Sequence, residues 1–188
     1  MNVEKPLRAD ARRNRAKVLE AAREAFANEG PSAPLDEIAR RAGVGAGTVY
    51  RHFPTKEALL EAVVVDRLEA LLAEAQEAMT AADPGAAFFD YFVAMVADAG
   101  SKMDLADALS RSGVDVLEAT RAVAAQLHEA IGALMKRAQE AGAVRPDANV
   151  EDLHSLTVGA VAAERRTTRP GETGRVTRLM CDALRPRD

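Results

Sequence analysis

Residues 35–53 read LDEIARRAGVGAGTVYRHF, and the fold is decided in this stretch. Leu35, Ile38, Ala39 and Ala42 recur at three- and four-residue steps, the spacing of one apolar face of a short helix. Gly43 closes that helix, because glycine takes the left-handed conformation of a C-terminal cap without a Cβ penalty. Val44 is expected to insert between this helix and a second one, Ala46 to Phe53. The second helix stops at Pro54, since the residue before a proline disfavours the α region. Two short helices meeting at Gly43-Val44-Gly45 are a helix-turn-helix. At ~100° per residue, Val49 and Phe53 point together toward a core, while Gly47 and Arg51 point away, flanked by Thr48, Tyr50 and His52.

That outward face suits the major groove of duplex DNA. Gly47 removes a side chain where a helix must come close to the duplex. Thr48, Tyr50 and His52 can each bond a phosphate oxygen or a base edge, and Arg51 can fork onto guanine O6 and N7. The N-terminus of the helix adds its own attraction for phosphate.

Working outward, AREAFANEG (22–30) and LDEIARRAGVGAGTVYRHFPTKEALLEAV (35–63) together resemble the DNA-binding domain of the TetR family of transcriptional regulators. The resemblance runs from about Arg12 to Val64. It implies three N-terminal helices that carry the helix-turn-helix and a fourth that leads into a ligand-binding domain. It also implies a homodimer, usually a repressor released by a small molecule. By this resemblance Ala46, Gly47, Thr48, Tyr50 and Arg51 face bases or nearby phosphates, and Tyr50, His52 and Lys56 match phosphate-contacting positions. Pro34 and Gly45 depart from the pattern, standing where a Ser or Thr commonly caps the second and third helices, so no contact is expected from those two positions.

The charge of the chain is divided. Over 188 residues the net charge is −4, which taken whole speaks against a nucleic-acid partner. Residues 1–56, however, hold 11 basic and 7 acidic side chains, a net +4, and the remainder holds 14 and 22, a net −8. Arg12, Arg13, Arg15 and Lys17 form either a solvated helix face or an arm that touches the DNA backbone, and Arg40 and Arg41 carry the same two readings.

Beyond the head the helical period continues, giving an all-α chain. Val18, Leu19, Ala22 and Phe26 form a stripe that ends at Gly30-Pro31, and Thr55 caps a long helix bearing Leu59 to Met79. Asp83-Pro84 opens a helix expected to stop at Gly100, followed by a short one around Leu105 to Ser110. Further stripes run from Val116 to Ala138, from about 149 to 165 and from about 173 to 185, the last with Val176, Leu179, Met180 and Leu184 as its apolar side. The least ordered segments are expected at the first eight or so residues, the Arg145-Pro146-Asp147 turn, and Thr167 to Gly174. The expected division is a DNA-binding head at 1–55 and an effector-binding and dimerisation domain at 56–188, a helical bundle whose two last helices are the candidate dimer interface.

Phe88, Phe92 and Met95 share one helix face, and Met103 and Leu109 follow soon after. These five are the candidate lining of a pocket for a largely apolar small molecule. Other chemistries fit poorly. A dinucleotide loop at Gly43–Gly47 needs a preceding strand and a glycine where Thr48 stands. Glu151 and His154 have the Glu-x-x-His spacing of di-iron bundles, but Ala125 stands three residues before His128, so the second copy is missing and no metal site is expected. The lone Cys181 excludes a disulfide framework and is expected to be partly buried and inert. No nucleophile–base constellation appears, no cofactor is expected, and the chain is not expected to be an enzyme. The alternative is a helical-bundle enzyme or small-molecule carrier with a non-functional DNA-binding head, which recovery of a specific operator would exclude. No apolar run approaches the ~18 residues of a membrane span, and the N-terminal stretch lacks the apolar core of a signal peptide, so a cytoplasmic protein is expected. The family resemblance, through a dimer with two heads, implies a palindromic operator.

Overall fold

The 3.6-residue apolar period becomes eight α-helices, with no strand among the described residues. The computed structural model describes residues 4–111, 116–164, 166 and 174–186, with side chains at 10–99, 118–163, 166 and 174–186. In chain order the helices are α1 (Glu4–Glu29), α2 (Leu35–Ala42), α3 (Ala46–His52), α4 (Lys56–Ala78), α5 (Pro84–Arg111), α6 (Val116–Glu140), α7 (Val150–Glu164) and α8 (Arg175–Leu184). They form two compact units, Met1–Arg67 with Met103–Thr120, and Leu68–Lys102 with Arg121–Asp188. Among the described residues, no helix is long and apolar enough to cross a membrane.

In the first unit α1, α2 and α3 pack pairwise. Val18, Leu19, Ala22, Ala25 and Phe26 of α1 are buried, as are Ile38, Ala39 and Ala42 of α2, Val49 of α3, Phe53, and Leu59, Leu60, Val63 and Val64 of α4. Gly30 ends α1 at φ 74°, with its N–H donated to the Phe26 carbonyl at 3.0 Å. Thr55 caps α4, its Oγ1 accepting the Ala58 N–H at 3.1 Å.

In the second unit α5 opens on Asp83, whose Oδ1 accepts the Ala86 N–H at 2.9 Å. Two expectations are corrected here. First, α5 does not stop at Gly100 but continues to Arg111, absorbing the short helix expected at Leu105 to Ser110. A glycine inside a helix costs only ~1 kcal/mol against alanine. It ends a helix when it takes the left-handed conformation, as Gly30, Gly43 and Gly142 do, and the nearest proline after Gly100 is Pro146. Second, the Arg145-Pro146-Asp147 turn is firmly held. The Arg145 N–H donates to the Leu184 carbonyl at 2.9 Å, and its guanidinium forks onto Asp147 with two bonds of 2.6 Å. Gln139 Nε2 donates to the carbonyls of Arg145 and Ala148, each at 2.9 Å, and Val144 is buried. Of the segment Thr167 to Gly174, residues 167–173 lie outside the described residues.

Asn149 and Asp152 cap α7 reciprocally: the Asp152 N–H donates to Asn149 Oδ1 at 2.9 Å, and the Asn149 N–H to Asp152 Oδ2 at 3.0 Å. Packed on α7, α8 buries Thr177, Cys181 and Leu184. The expected inner face of α8 is therefore rotated. Val176 and Met180 are half-buried, and Leu179 is 52% exposed.

Candidate nucleic-acid interface

The turn between α2 and α3 is built as its sequence dictates. Gly43 takes φ 66° and ψ 32°, and its N–H reaches the carbonyls of Ala39 and Arg40. The Val44 N–H donates to the Ala39 carbonyl at 3.1 Å, and the Val44 side chain is half-buried. Neither Pro34 nor Gly45 supplies a side-chain cap, as their lack of a hydroxyl requires. Asp36 and Glu37 in the first turn of α2 offset this by facing its positive end, whereas the first turn of α3 holds no acid that would repel a phosphate.

On α3, Val49 is fully buried, and Phe53 just after the helix is 3% exposed. Each such side chain contributes roughly 1.5–3 kcal/mol of burial, which fixes how the helix is rotated. Ala46, Gly47 and Arg51 are consequently exposed, Tyr50 is 48% exposed, and Thr48 and His52 are half-buried. A Cβ added at Gly47 would meet nothing within 4 Å, so the glycine leaves open space outward and is not required by packing. Lys56 begins α4 half-buried; burial lowers the pKa of its ammonium, with Glu57 pulling the other way.

The surrounding cations are sorted by contacts that sequence reasoning did not resolve. Glu37 accepts from Arg40 Nε at 2.8 Å and Nη2 at 2.7 Å, and from Arg41 Nε at 2.8 Å. These bonds hold the Glu37 carboxyl at about 2, against an ordinary 4.5. Arg41 also pairs with Glu29 at the end of α1, tying α1 to α2. The i,i+3 and i,i+4 spacing of Glu37 to Arg40 and Arg41 was a readable signal. The Glu29 contact, twelve residues away, had none.

The candidate pocket residues divide. Phe88 and Phe92 are fully buried and Met95 is buried, all within the second unit, while Met103 and Leu109 lie on α5 with side chains outside the described residues. Phe88 meets Phe89 edge-on at 5.3 Å between ring centroids. The buried Tyr91 hydroxyl donates to the Leu71 carbonyl of α4 at 3.3 Å, and burial, with the nearby carboxylates of Glu74 and Asp98, raises its pKa. Cys181 is buried and its thiol is pushed up, chiefly by burial. His128 Nε2 lies 3.8 Å from Glu151 Oε1 on the surface, and no group of three metal-ligating side chains occurs among the described residues.

Two family models match the chain, one described as bacterial regulatory proteins of the tetR family over residues 18–63, the other as the C-terminal domain of SbtR-like transcriptional regulators over residues 83–186. The chain belongs to the TetR family. It is 45% identical to a TetR transcription regulatory protein from Mycobacterium vanbaalenii, with 96% of this chain and 100% of that one aligned at a TM-score of 0.80. The TetR regulator SCO0520 from Streptomyces coelicolor is 33% identical over 93% of this chain and 99% of its own, at a TM-score of 0.79. The HTH-type transcriptional regulator UidR of Escherichia coli is 29% identical over 168 residues, covering 83% of this chain and 84% of that protein. As a TetR-family protein the chain is a DNA-binding transcriptional regulator.

Proposed function

We propose that this TetR-family protein is a cytoplasmic repressor that binds a palindromic operator as a homodimer and is released by a small, largely apolar effector. The observation that carries the reading is the rotation of α3: with Val49 and Phe53 in the core, Gly47 and Arg51 are exposed on the opposite face. In this reading Ala46, Gly47, Thr48, Tyr50 and Arg51 approach the bases, and Tyr50, His52 and Lys56 hold phosphates. The division of labour falls at about residue 55, with the effector taken beyond it beside Phe88, Phe92 and Met95.

The dimer reading is supported by α7 and α8. They pack on each other yet leave Val158 41% and Leu179 52% exposed, with Gly159 also exposed and Met180 half-buried. Two copies of this apolar face would form an isologous four-helix contact about a two-fold axis. Two heads related by that axis would read two half-sites one or more helical turns apart. Effector binding releases DNA if it favours a head spacing that no longer matches, with α4 as the lever, and this requires different affinities for the two spacings.

Selection of bound duplexes from a random-sequence pool tests the operator, and a screen for compounds that release the selected duplex tests the effector. A palindromic consensus is expected. Recovery of no preferred sequence sinks the repressor reading, and an effector that binds tightly yet leaves operator affinity unchanged sinks the release mechanism.

A further inference from the structure

The basic side chains of the head differ in what the fold has done with them. Arg13 is paired with Asp10, Arg23 with Glu20 and Asp66, Arg40 with Glu37, and Arg41 with both Glu37 and Glu29. Arg12, Arg15, Lys17, Arg51 and Lys56 make no ion pair among the described residues. Within this second set Arg15 is placed by a specific contact: its guanidinium lies over the Phe53 ring, 5.4 Å from the centroid. Phe53 directly follows α3, so a side chain of α1 is held at the carboxyl end of the recognition helix, beside His52 and close in sequence to Arg51 and Lys56. Arg12 is exposed one turn earlier on the same face of α1, at i−3.

A guanidinium held over a ring face spends none of its N–H donors on the contact, so Arg15 keeps them for another acceptor. Phe53 thus acts as a seat that fixes the group while leaving its hydrogen-bonding edge open. Asp10, Glu20, Glu29 and Glu37 are engaged by other arginines, which leaves Arg12, Arg15 and Lys17 as the cations of α1 without an ion pair among the described residues. Planar donors of this kind match a phosphate oxygen pair.

We infer that α1 supplies a second phosphate-binding element, Arg12 and Arg15, which grips the DNA backbone beside α3 with Phe53 as the seat of Arg15. The inference rests on the operator-binding reading. It adds a contact that strengthens binding to every sequence alike, because phosphates carry no base identity.

The test is the salt dependence of binding, measured on a selected operator and on a mixed-sequence duplex of equal length. Arg15→Leu keeps an apolar cover over Phe53 and removes the charge; Arg15→Lys keeps the charge and removes the planar fork. Arg15→Leu should flatten the plot of log affinity against log salt by ~0.9 per head and weaken binding roughly three- to tenfold on both duplexes. Arg12→Ala should do the same, Arg15→Lys should retain the slope, and base preference should stay intact throughout. Lys17→Ala, on a different face of α1, should leave the slope unchanged. Circular dichroism and Tm check that each variant is folded. A folded Arg15→Leu variant with the wild-type slope would overturn the inference, reducing Arg15 to a cover for Phe53. Wild-type protein with no preference for any duplex overturns the operator reading instead, while the slope difference on mixed-sequence DNA still reads the α1 contact.

Discussion

The Glu37 carboxylate accepts the Nε of Arg41 at 2.8 Å, one turn away on α2. The same carboxylate holds Arg40, and Arg41 reaches on to Glu29 at the end of α1. Two acids, Glu37 and Glu29, therefore offset the two cations next to the turn, and the Arg41–Glu29 pair ties α2 to the end of α1. The net +4 of residues 1–56 is consequently concentrated on fewer side chains than a count of arginines implies.

The Glu37 contact has a defined pH signature. Its folded-state pKa lies near 2, below the ordinary 4.5, because Arg40 and Arg41 donate to the charged form. A depressed carboxyl contributes stability that is present above the unfolded value and lost as pH falls through the folded one. The Tm of Glu37→Gln should fall below wild type at pH 7, and the gap should close between about pH 4.5 and pH 2. A gap independent of pH would show that the bonds to the carboxylate are not its source.

Gly43 and Gly47 should behave oppositely. Gly43 has φ 66°, where an L side chain is strained by roughly 1–2 kcal/mol, so Gly43→Ala should lower Tm. Gly47 is helical with open space around it, and Gly47→Ala should leave stability unchanged or raise it by up to ~1 kcal/mol. Operator affinity should nevertheless drop for Gly47→Ala, as measured by a binding isotherm, since the added methyl stands on the groove-facing side.

Arg51 and Lys56 separate base reading from backbone contact. Arg51→Ala should cost ~1–3 kcal/mol on the selected operator and relax preference at one base position. Lys56→Ala should weaken all duplexes about equally and flatten the salt dependence. Uniform weakening by Arg51→Ala across a panel of operator variants would reject a base contact for that residue.

Phe92 of α5 is fully buried. Phe92→Ala removes a large side chain from a packed interior and should destabilise the fold by ~3–5 kcal/mol. Chemical denaturation with an unchanged m-value would report this directly.

Leu179 tests the dimer. At 52% exposure on α8 it contributes little to packing within one chain, so Leu179→Glu should leave the folded protomer intact. If two copies meet on α7 and α8, sedimentation should show the variant as a monomer where wild type is a dimer, with operator affinity falling through loss of the second head.

Much of the fold was legible along the chain. Gly43, Pro54, Thr55 and Asp83 act within a few residues of themselves, so the turn, the end of α3 and the starts of α4 and α5 could be read locally. Gly100 misled because a glycine only permits a helix to end; the residues on its C-terminal side decide whether it does, and here α5 runs on to Arg111. The 145–147 turn misled for a different reason. Its composition is that of a loose loop, and its order comes from side-chain bonds of Gln139 and Arg145 together with a backbone bond to Leu184, which is 39 residues later.

Periodicity and end signals were enough to establish an all-α chain, the helix-turn-helix and the side of α3 that faces outward, because each depends on interactions within a turn or two of helix. Which face of α8 is buried, the further hold of Glu29 on Arg41 and where Arg15 rests depended on chain segments brought together from 12 to 40 residues apart. Contacts across such separations are set by packing and leave no period in the sequence. Net charge is the clearest case. Its split into +4 and −8 was countable from the residues and the Glu37 pairs were readable from their spacing, but the tie of Arg41 to Glu29 and the placing of Arg15 on Phe53 came only with packing.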